Sequence, residues 1–339
     1  LLRRCFPVSR LTASVVTCLF LLVHFLALRS EDSGNQYLFY CVDLNCYYNY
    51  LLPALLNASL VMSLIRNPRL ADFLKSGAPT ARGCFCIVVY FAIFSNLPAS
   101  GIFAAWAGSV VLLSLIAHGR AKQWKGIVSE NGFPLLVLVA WLVSAVFELS
   151  GGRAASAGGG TPLYYRLYLA CKYLVRILLD LNRLYQLTIV LIVAAFCVCA
   201  LTSRKKGASL PCPGLGAALI AAAAFGVYLL ALSSAVGPAT IRRSENLFGL
   251  FFLGNLCAML LLTALVSRYP KLMLALPLVT VFLLSGIDTR ADTTFLESNF
   301  AGVRPAVCAD ISRNLIEQLQ AADAQGLTEV ELRVPQYVS

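Results

Sequence analysis

Long apolar stretches separated by short polar or basic loops run through the whole chain. Four of them follow one another in the second half, at about 186–202, 214–236, 247–267 and 271–287. Each is close to the roughly 20 residues that a helix needs to cross a bilayer. Their unbroken apolarity favours helices over the alternating strands of a membrane barrel. The second half therefore predicts four membrane-spanning helices.

Five further apolar stretches precede these four, at about 11–28, 48–65, 84–95, 102–117 and 133–147. The third of them is too short for an untilted crossing. It is either the short first arm of a helical hairpin or a re-entrant segment, and we favour the hairpin. With the hairpin, the pattern predicts an all-α, polytopic membrane domain with about nine crossings.

The segment from Leu163 to Tyr185 has a different pattern. Its Leu, Tyr and Val residues are interrupted by cations at Arg166, Lys172, Arg176 and Arg183. Such an amphipathic pattern is typical of a helix that lies on the membrane surface, and a weakly apolar crossing is the alternative. We expect an interfacial helix at about 163–185.

The pattern divides the chain into a membrane domain, residues 1–287, and a small soluble tail, residues 288–339. In the tail, apolar residues recur at helical spacing at Ile311, Leu315 and Leu319. Gly326 is a suitable helix stop, and residues 329–334 alternate in the manner of a strand. The tail is therefore predicted to contain a helix followed by a strand.

The composition agrees with a membrane protein. Hydrophobic residues make up 59% of the chain, charged residues make up 13%, and the mean hydropathy is +0.77, which lies outside the range of soluble domains. The formal net charge is +11, but the basic residues lie in loops between apolar stretches, where they determine orientation in the membrane. We therefore expect the lipid bilayer as a partner and no nucleic acid.

The positions of the lysines predict the side of the membrane on which each loop lies. With a cytoplasmic N-terminus, six of the seven lysines fall on the cytoplasmic side, as the positive-inside rule requires. The exception, Lys172, belongs to the amphipathic segment. Nine crossings then place the C-terminal tail outside the cytoplasm.

The sequence contains no Walker loop, dinucleotide fingerprint, HExxH or GxSxG motif. Most of the 12 cysteines lie in apolar stretches, where cysteine acts as a small packing residue. Their spacing does not fit a zinc site. We therefore expect neither a metal ion nor a cofactor.

Polar and aromatic groups gather in the loops that are predicted to lie outside the cytoplasm. The carboxylates able to take a proton from an acceptor hydroxyl are Glu31, Asp32 and Asp43. The candidate substrate-binding residues are Tyr47, Tyr48, Asn49, Glu148, Arg153, Arg242 and Arg243. The two adjacent arginines stand out because short outer loops rarely carry positive charge, and paired guanidinium groups bind phosphate well. The alternative is that these residues are ordinary loop charges.

Several of these positions also occur in the order found in a known family. They are Tyr47 to Pro53 at the opening of a stretch, the break at Phe94 to Pro98, the turn from Glu148 to Arg153, the pair Arg242 and Arg243, and a tail with Arg313, Ile316 and Gly326 before Val330 to Pro335. This order resembles polytopic bacterial membrane proteins related to serotype-converting glucosyltransferases of the Gtr type. It is more loosely similar to the GT-C glycosyltransferases.

The resemblance implies a location in the bacterial inner membrane and an enzyme that acts at its outer face. The donor would be a polyprenyl-phosphate-linked sugar, the acceptor a cell-envelope glycan, and the base an acid in an early outer loop. The chain departs from the family pattern because only Glu31 and Asp32 offer a paired-acid loop, and the family's acid would otherwise lie upstream of Leu1. A transporter or flippase of lipid-linked saccharide and a non-catalytic envelope-assembly protein are the alternatives.

Overall fold

The computed structural model of the chain describes residues 1–28, 44–67, 77–118, 128–150, 161–205, 211–285, 305–327 and 329–334. Within these residues the secondary structure is helical and includes no strand. The predicted all-α class is therefore confirmed.

Each of the nine predicted apolar stretches forms a helix. In the first half these are α1 (Arg10–Leu28), α2 (Leu52–Arg66), α3 (Pro79–Phe94), α4 (Leu97–His118) and α5 (Gly132–Leu149). The amphipathic helix α6 (Leu163–Asp180) follows. The remaining four are α7 (Arg183–Lys205), α8 (Leu215–Val236), α9 (Ser244–Arg268) and α10 (Leu276–Leu284).

Six helical segments in the described part of the chain are long and apolar enough to cross a membrane. They are Arg10–Ala27, Tyr47–Arg66, Leu97–His118, Arg183–Ser203, Leu215–Val236 and Ser244–Arg268. Three further apolar segments, Pro79–Phe94, Gly132–Glu148 and Pro270–Leu284, are shorter. The architecture is that of a multi-pass membrane protein.

Helix α9 lies at the centre of the bundle and α7 at its periphery. In α9, 83% of the spanning segment is buried, whereas in α7 only 6% is buried. Helix α8 packs closely on α9 because Gly249 leaves room for the Phe225 ring, with which a Cβ at that position would clash. In the same way, Gly101 of α4 accommodates the Tyr228 ring of α8. The small residues thus determine how closely the three helices approach.

Contacts near the ends of the helices define two ends of the bundle. We call the end at residues 237–246 the arginine end, and there Tyr50, just before α2, lies against Arg243. The opposite end is defined by contacts between Gly214 and Ile65, Asn131 and Ser114, and Thr12 and Met273. The helices joined by these contacts run in alternating directions, as a series of membrane crossings requires.

The boundary of the amphipathic helix differs from its prediction. Helix α6 ends at Asp180 rather than at Tyr185, because Asn182 caps the next helix. Its Oδ1 accepts a hydrogen bond of 2.9 Å from the N–H of Leu184, which satisfies an amide at the start of α7. Gln186 of α7 donates in turn to the carbonyl oxygen of Leu178 at the end of α6, at 3.0 Å. The two helices therefore meet at a hydrogen-bonded corner.

The described residues of the tail form one helix, α11 (Pro305–Ala324), followed by Gly326 with a φ of +67°. This left-handed residue is typical of a helix end. The predicted strand at 329–334 is absent from the described residues, because no second strand is there to pair with it. Instead, the backbone of Arg333 exchanges two hydrogen bonds with the side-chain amide of Gln318, at 2.8 and 3.1 Å.

Candidate anion-binding site at the arginine end

A tight turn holds the two adjacent arginines between α8 and α9. Helix α8 stops at Gly237, whose φ of +152° favours glycine, and a 3-10 helix, Pro238–Arg242, follows. Asn246 in the first turn of α9 donates a hydrogen bond of 2.7 Å to the carbonyl oxygen of Thr240. The 3-10 helix is therefore fastened to α9, and Arg242 and Arg243 are fixed at the junction.

Helix α6 supplies an aromatic partner for Arg242. The guanidinium carbon of Arg242 lies 5.8 Å from the centroid of the Tyr173 ring, within the range of a cation–π interaction. Helix α6 is attached to the end of α8 by a hydrogen bond of 3.1 Å from Arg166 Nη1 to the carbonyl oxygen of Ala235. The amphipathic helix therefore forms one side of the site.

Arg243 has an aromatic and an acidic partner. Its guanidinium carbon lies 5.8 Å from the centroid of the Tyr50 ring, and its Nε lies 2.5 Å from Oε1 of Glu245. The Glu245 side chain is 3% exposed, whereas that of Arg243 is 43% exposed. Since a buried carboxylate is costly unless it is paired, Glu245 keeps one side of Arg243 in place. Its location in the first turn of α9 also suits the helix dipole.

The predicted residues Tyr47, Tyr48 and Asn49 are in the same turn as Tyr50, which contacts Arg243 of this ion pair. They belong to one π-helical turn, Tyr47–Leu51, which directly precedes α2, and such turns are frequent at functional sites. The rings of Tyr47 and Tyr48 are 5.5 Å apart and nearly perpendicular, at 86°. Tyr50 in the same turn makes the contact with Arg243. The structure thus brings this segment and the arginines together.

One further predicted site residue, Glu148, lies within the described part of the chain and apart from this cluster. Glu148 is exposed in the last turn of α5. Within the described residues, no hydrogen bond or ion pair connects its carboxylate to the arginines, because α5 packs mainly on α4 and α3. Glu31, Asp32, Asp43 and Arg153 lie outside the described residues.

The sequence groups Glu245 with the two arginines, but sequence reasoning missed their aromatic partners, Tyr173 and Tyr50. Tyr173 is 69 positions from Arg242, and no local pattern in α6 distinguishes it from the other tyrosines of that helix. Tyr50 carries a signal, because it directly follows the predicted residue Asn49. An acid at the start of a long apolar stretch is costly unless it has a partner, and the adjacent arginine is the nearest available one.

The arrangement is suited to binding an anion. Among the described residues of the site, the two arginines and the buried carboxylate of Glu245 together carry a net charge of +1 at the start of an apolar helix. Guanidinium groups bind phosphate with charge-assisted hydrogen bonds that are stronger than neutral ones. Among the described residues, no three His, Cys, Asp or Glu side chains come together as metal ligands.

The chain matches no protein-family model, no curated protein and no solved structure. The chemistry of the arginine end is therefore the main guide to function. That chemistry combines cations, exposed aromatic rings and amide groups at the end of the most buried apolar helix.

Proposed function

We propose that the protein is a membrane glycosyltransferase with nine crossings that moves a hexose from a polyprenyl-phosphate donor to a cell-envelope glycan. The observation that carries this proposal is the fixed pair Arg242 and Arg243, which lies against Tyr173 and Tyr50. In this proposal the arginine end faces the outside of a bacterial inner membrane, and the N-terminus is cytoplasmic.

The depth of the arginines supports a lipid phosphate as the ligand. Arg243 immediately precedes the apolar segment Ser244–Arg268, so its guanidinium group lies at the level of the lipid headgroups. Arginine side chains at helix ends commonly reach this polar layer. A phosphate there is partly removed from water, which strengthens its contacts with the two arginines.

The transfer step requires a base and a stabilised leaving group. The acceptor hydroxyl oxygen forms a bond with the anomeric carbon of the sugar, while the bond from that carbon to the phosphate oxygen breaks. The hydroxyl proton passes to a carboxylate, for which Glu31, Asp32 and Asp43 are the proposed candidates. The arginines stabilise the charge that returns to the polyprenyl phosphate.

We call the binding of the lipid phosphate by Arg242 and Arg243 the phosphate clamp. Lysine substitution at both positions tests it, because lysine keeps the charge but lacks the forked geometry of the guanidinium group. We expect Arg243→Lys to weaken binding of the polyprenyl-phosphate sugar in nanodiscs roughly 10- to 100-fold, with normal membrane insertion. Arg268→Lys, at the other end of the same helix, is the matched control and leaves binding unchanged. Equal affinity in the wild type and the Arg242→Lys/Arg243→Lys double variant would contradict the clamp.

The reaction is tested by its product. Purified protein in liposomes receives a radiolabelled polyprenyl-phosphate sugar and an acceptor glycan, and we expect label in the glycan. Movement of the unmodified lipid across the membrane without product supports a transporter or flippase instead. Neither product nor movement supports a non-catalytic envelope-assembly protein.

A further inference from the structure

Tyr47 and Tyr48 form an open corner at the arginine end. The two residues are 39% and 57% exposed. The angle of 86° between their rings places the two aromatic faces nearly at right angles to each other. On the same helical stretch, Asn49 Nδ2 donates a hydrogen bond of 2.7 Å to Asn45 Oδ1. Two aromatic faces and an amide pair therefore share a small area of surface.

We propose that this corner is the subsite for the sugar ring of the phosphate-linked lipid. The inference rests on the proposed function and adds to it the place and chemistry of sugar recognition. A hexose presents C–H groups on its faces and hydroxyl groups around its edge. The weakly positive C–H face packs on the negative face of an aromatic ring, while the hydroxyl groups match the hydrogen-bonding capacity of the amides.

The corner belongs to the same short turn as the residue that contacts Arg243, which suits a sugar bonded directly to a phosphate. Tyr50 contacts Arg243 and lies three residues after Tyr47 in the same π-helical turn. A phosphate held by Arg243 therefore places the attached sugar beside the tyrosine corner. The π-helical turn Tyr47–Leu51 supplies all of these contacts from one short segment.

Tyrosines at a membrane surface also occur as general interface anchors. Helix α6 offers a matched comparison, because Tyr164 and Tyr168 are exposed to similar or greater degrees, at 76% and 59%. If the tyrosines before α2 were only anchors, both pairs would respond alike to substitution. A sugar subsite makes the first pair differ from the second.

The test compares two lipids, polyprenyl-phosphate hexose and unglycosylated polyprenyl phosphate, for binding to the full chain in nanodiscs. We expect Tyr47→Leu/Tyr48→Leu to weaken binding of the glycosylated lipid about tenfold and to leave the bare lipid unaffected. Tyr164→Leu/Tyr168→Leu leaves both affinities unchanged. Tyr48→Trp retains an aromatic face at this position and is expected to keep part of the sugar-dependent binding that the double leucine variant loses. This result separates the loss of stacking from a folding defect.

Three results would overturn the subsite. The first is an equal loss of affinity for both lipids in the Tyr47→Leu/Tyr48→Leu variant, which assigns the tyrosines to membrane anchoring. The second is equal affinity of the wild type for the two lipids, which removes sugar recognition but leaves the phosphate clamp intact. The third is binding of neither lipid by the wild type, which rejects the proposed function together with the subsite.

Discussion

The two ends of the bundle bury polar groups in different ways. At the arginine end, the buried carboxylate of Glu245 is paired with Arg243, and each arginine lies against an aromatic ring. At the opposite end, a cavity of about 310 Å³ has largely apolar walls, and the Cys212 thiol lies beside it in the turn before α8. The buried ion pair therefore lies at the arginine end, where a ligand can use it. At the other end, the half-buried Cys212 thiol stays neutral.

The largest predicted effect is on the paired charges. Arg243→Met leaves the Glu245 carboxylate buried without its cation, and we expect a loss on the order of 3 kcal/mol in the free energy of unfolding. Removing both charges in Arg243→Met/Glu245→Leu restores most of this loss, because no uncompensated carboxylate remains. Thermal unfolding in detergent micelles measures both variants. Equal destabilisation of the single and double variants would show that the pair itself is not the cause.

The positions of the helices could be predicted from the sequence, but most contacts of the site could not. Unbroken apolarity locates the spanning helices because the bilayer imposes one solution on the backbone. The contact between Arg242 and Tyr173 depends on how α6 packs on the end of α8, and no local pattern encodes that packing. The predicted end of α6 is wrong for a related reason. The amphipathic pattern continues through Asn182, but the side chain of this residue caps α7.

The tail contains a segment whose sequence pattern fits a strand but whose structure is not one. Apolar and polar residues alternate at 329–334 as they do in a strand. Such alternation concerns one segment alone, whereas a stable strand also requires a second strand to pair with. Among the described residues, the backbone N–H and C=O of Arg333 both form hydrogen bonds with the Gln318 side chain. The helical pattern of α11 was sufficient because a helix satisfies its own backbone.

A smaller effect tests the close packing below the arginine end. Gly249→Ala places a methyl group against the Phe225 ring and Ile102, and we expect a cost of about 2 kcal/mol from overpacking. Gly254→Ala is the matched control five residues further along α9, where a Cβ meets nothing within 4 Å. That variant is expected to gain about 0.5–1 kcal/mol from helix propensity. Unfolding measured in the same micelles should therefore give opposite signs, and two variants of equal stability would contradict the packing of α8 on α9.

The smallest effect concerns the opposite end and leaves stability at neutral pH unchanged. Burial raises the pKa of the Cys212 thiol to about 11, with a further contribution from the neighbouring Cys5 thiol. The ordinary value is 9.0, so the thiolate fraction at pH 8 falls roughly 100-fold, and only the thiolate reacts rapidly with alkylating reagents. Because the fold favours the neutral thiol, its contribution to stability is complete below pH 9 and is lost as the pH rises towards 11.

The pH dependence of alkylation separates this effect from simple shielding. Iodoacetamide modification of Cys212, followed by mass spectrometry of the peptide, should show a rate that rises with a midpoint near pH 11 in the folded protein. The same thiol after unfolding in detergent should show a midpoint near 9, which serves as the control. Restricted access alone would lower the rate at every pH but leave the midpoint near 9. A folded-state midpoint near 9 would therefore show that the two ends do not differ in how they bury an ionisable group.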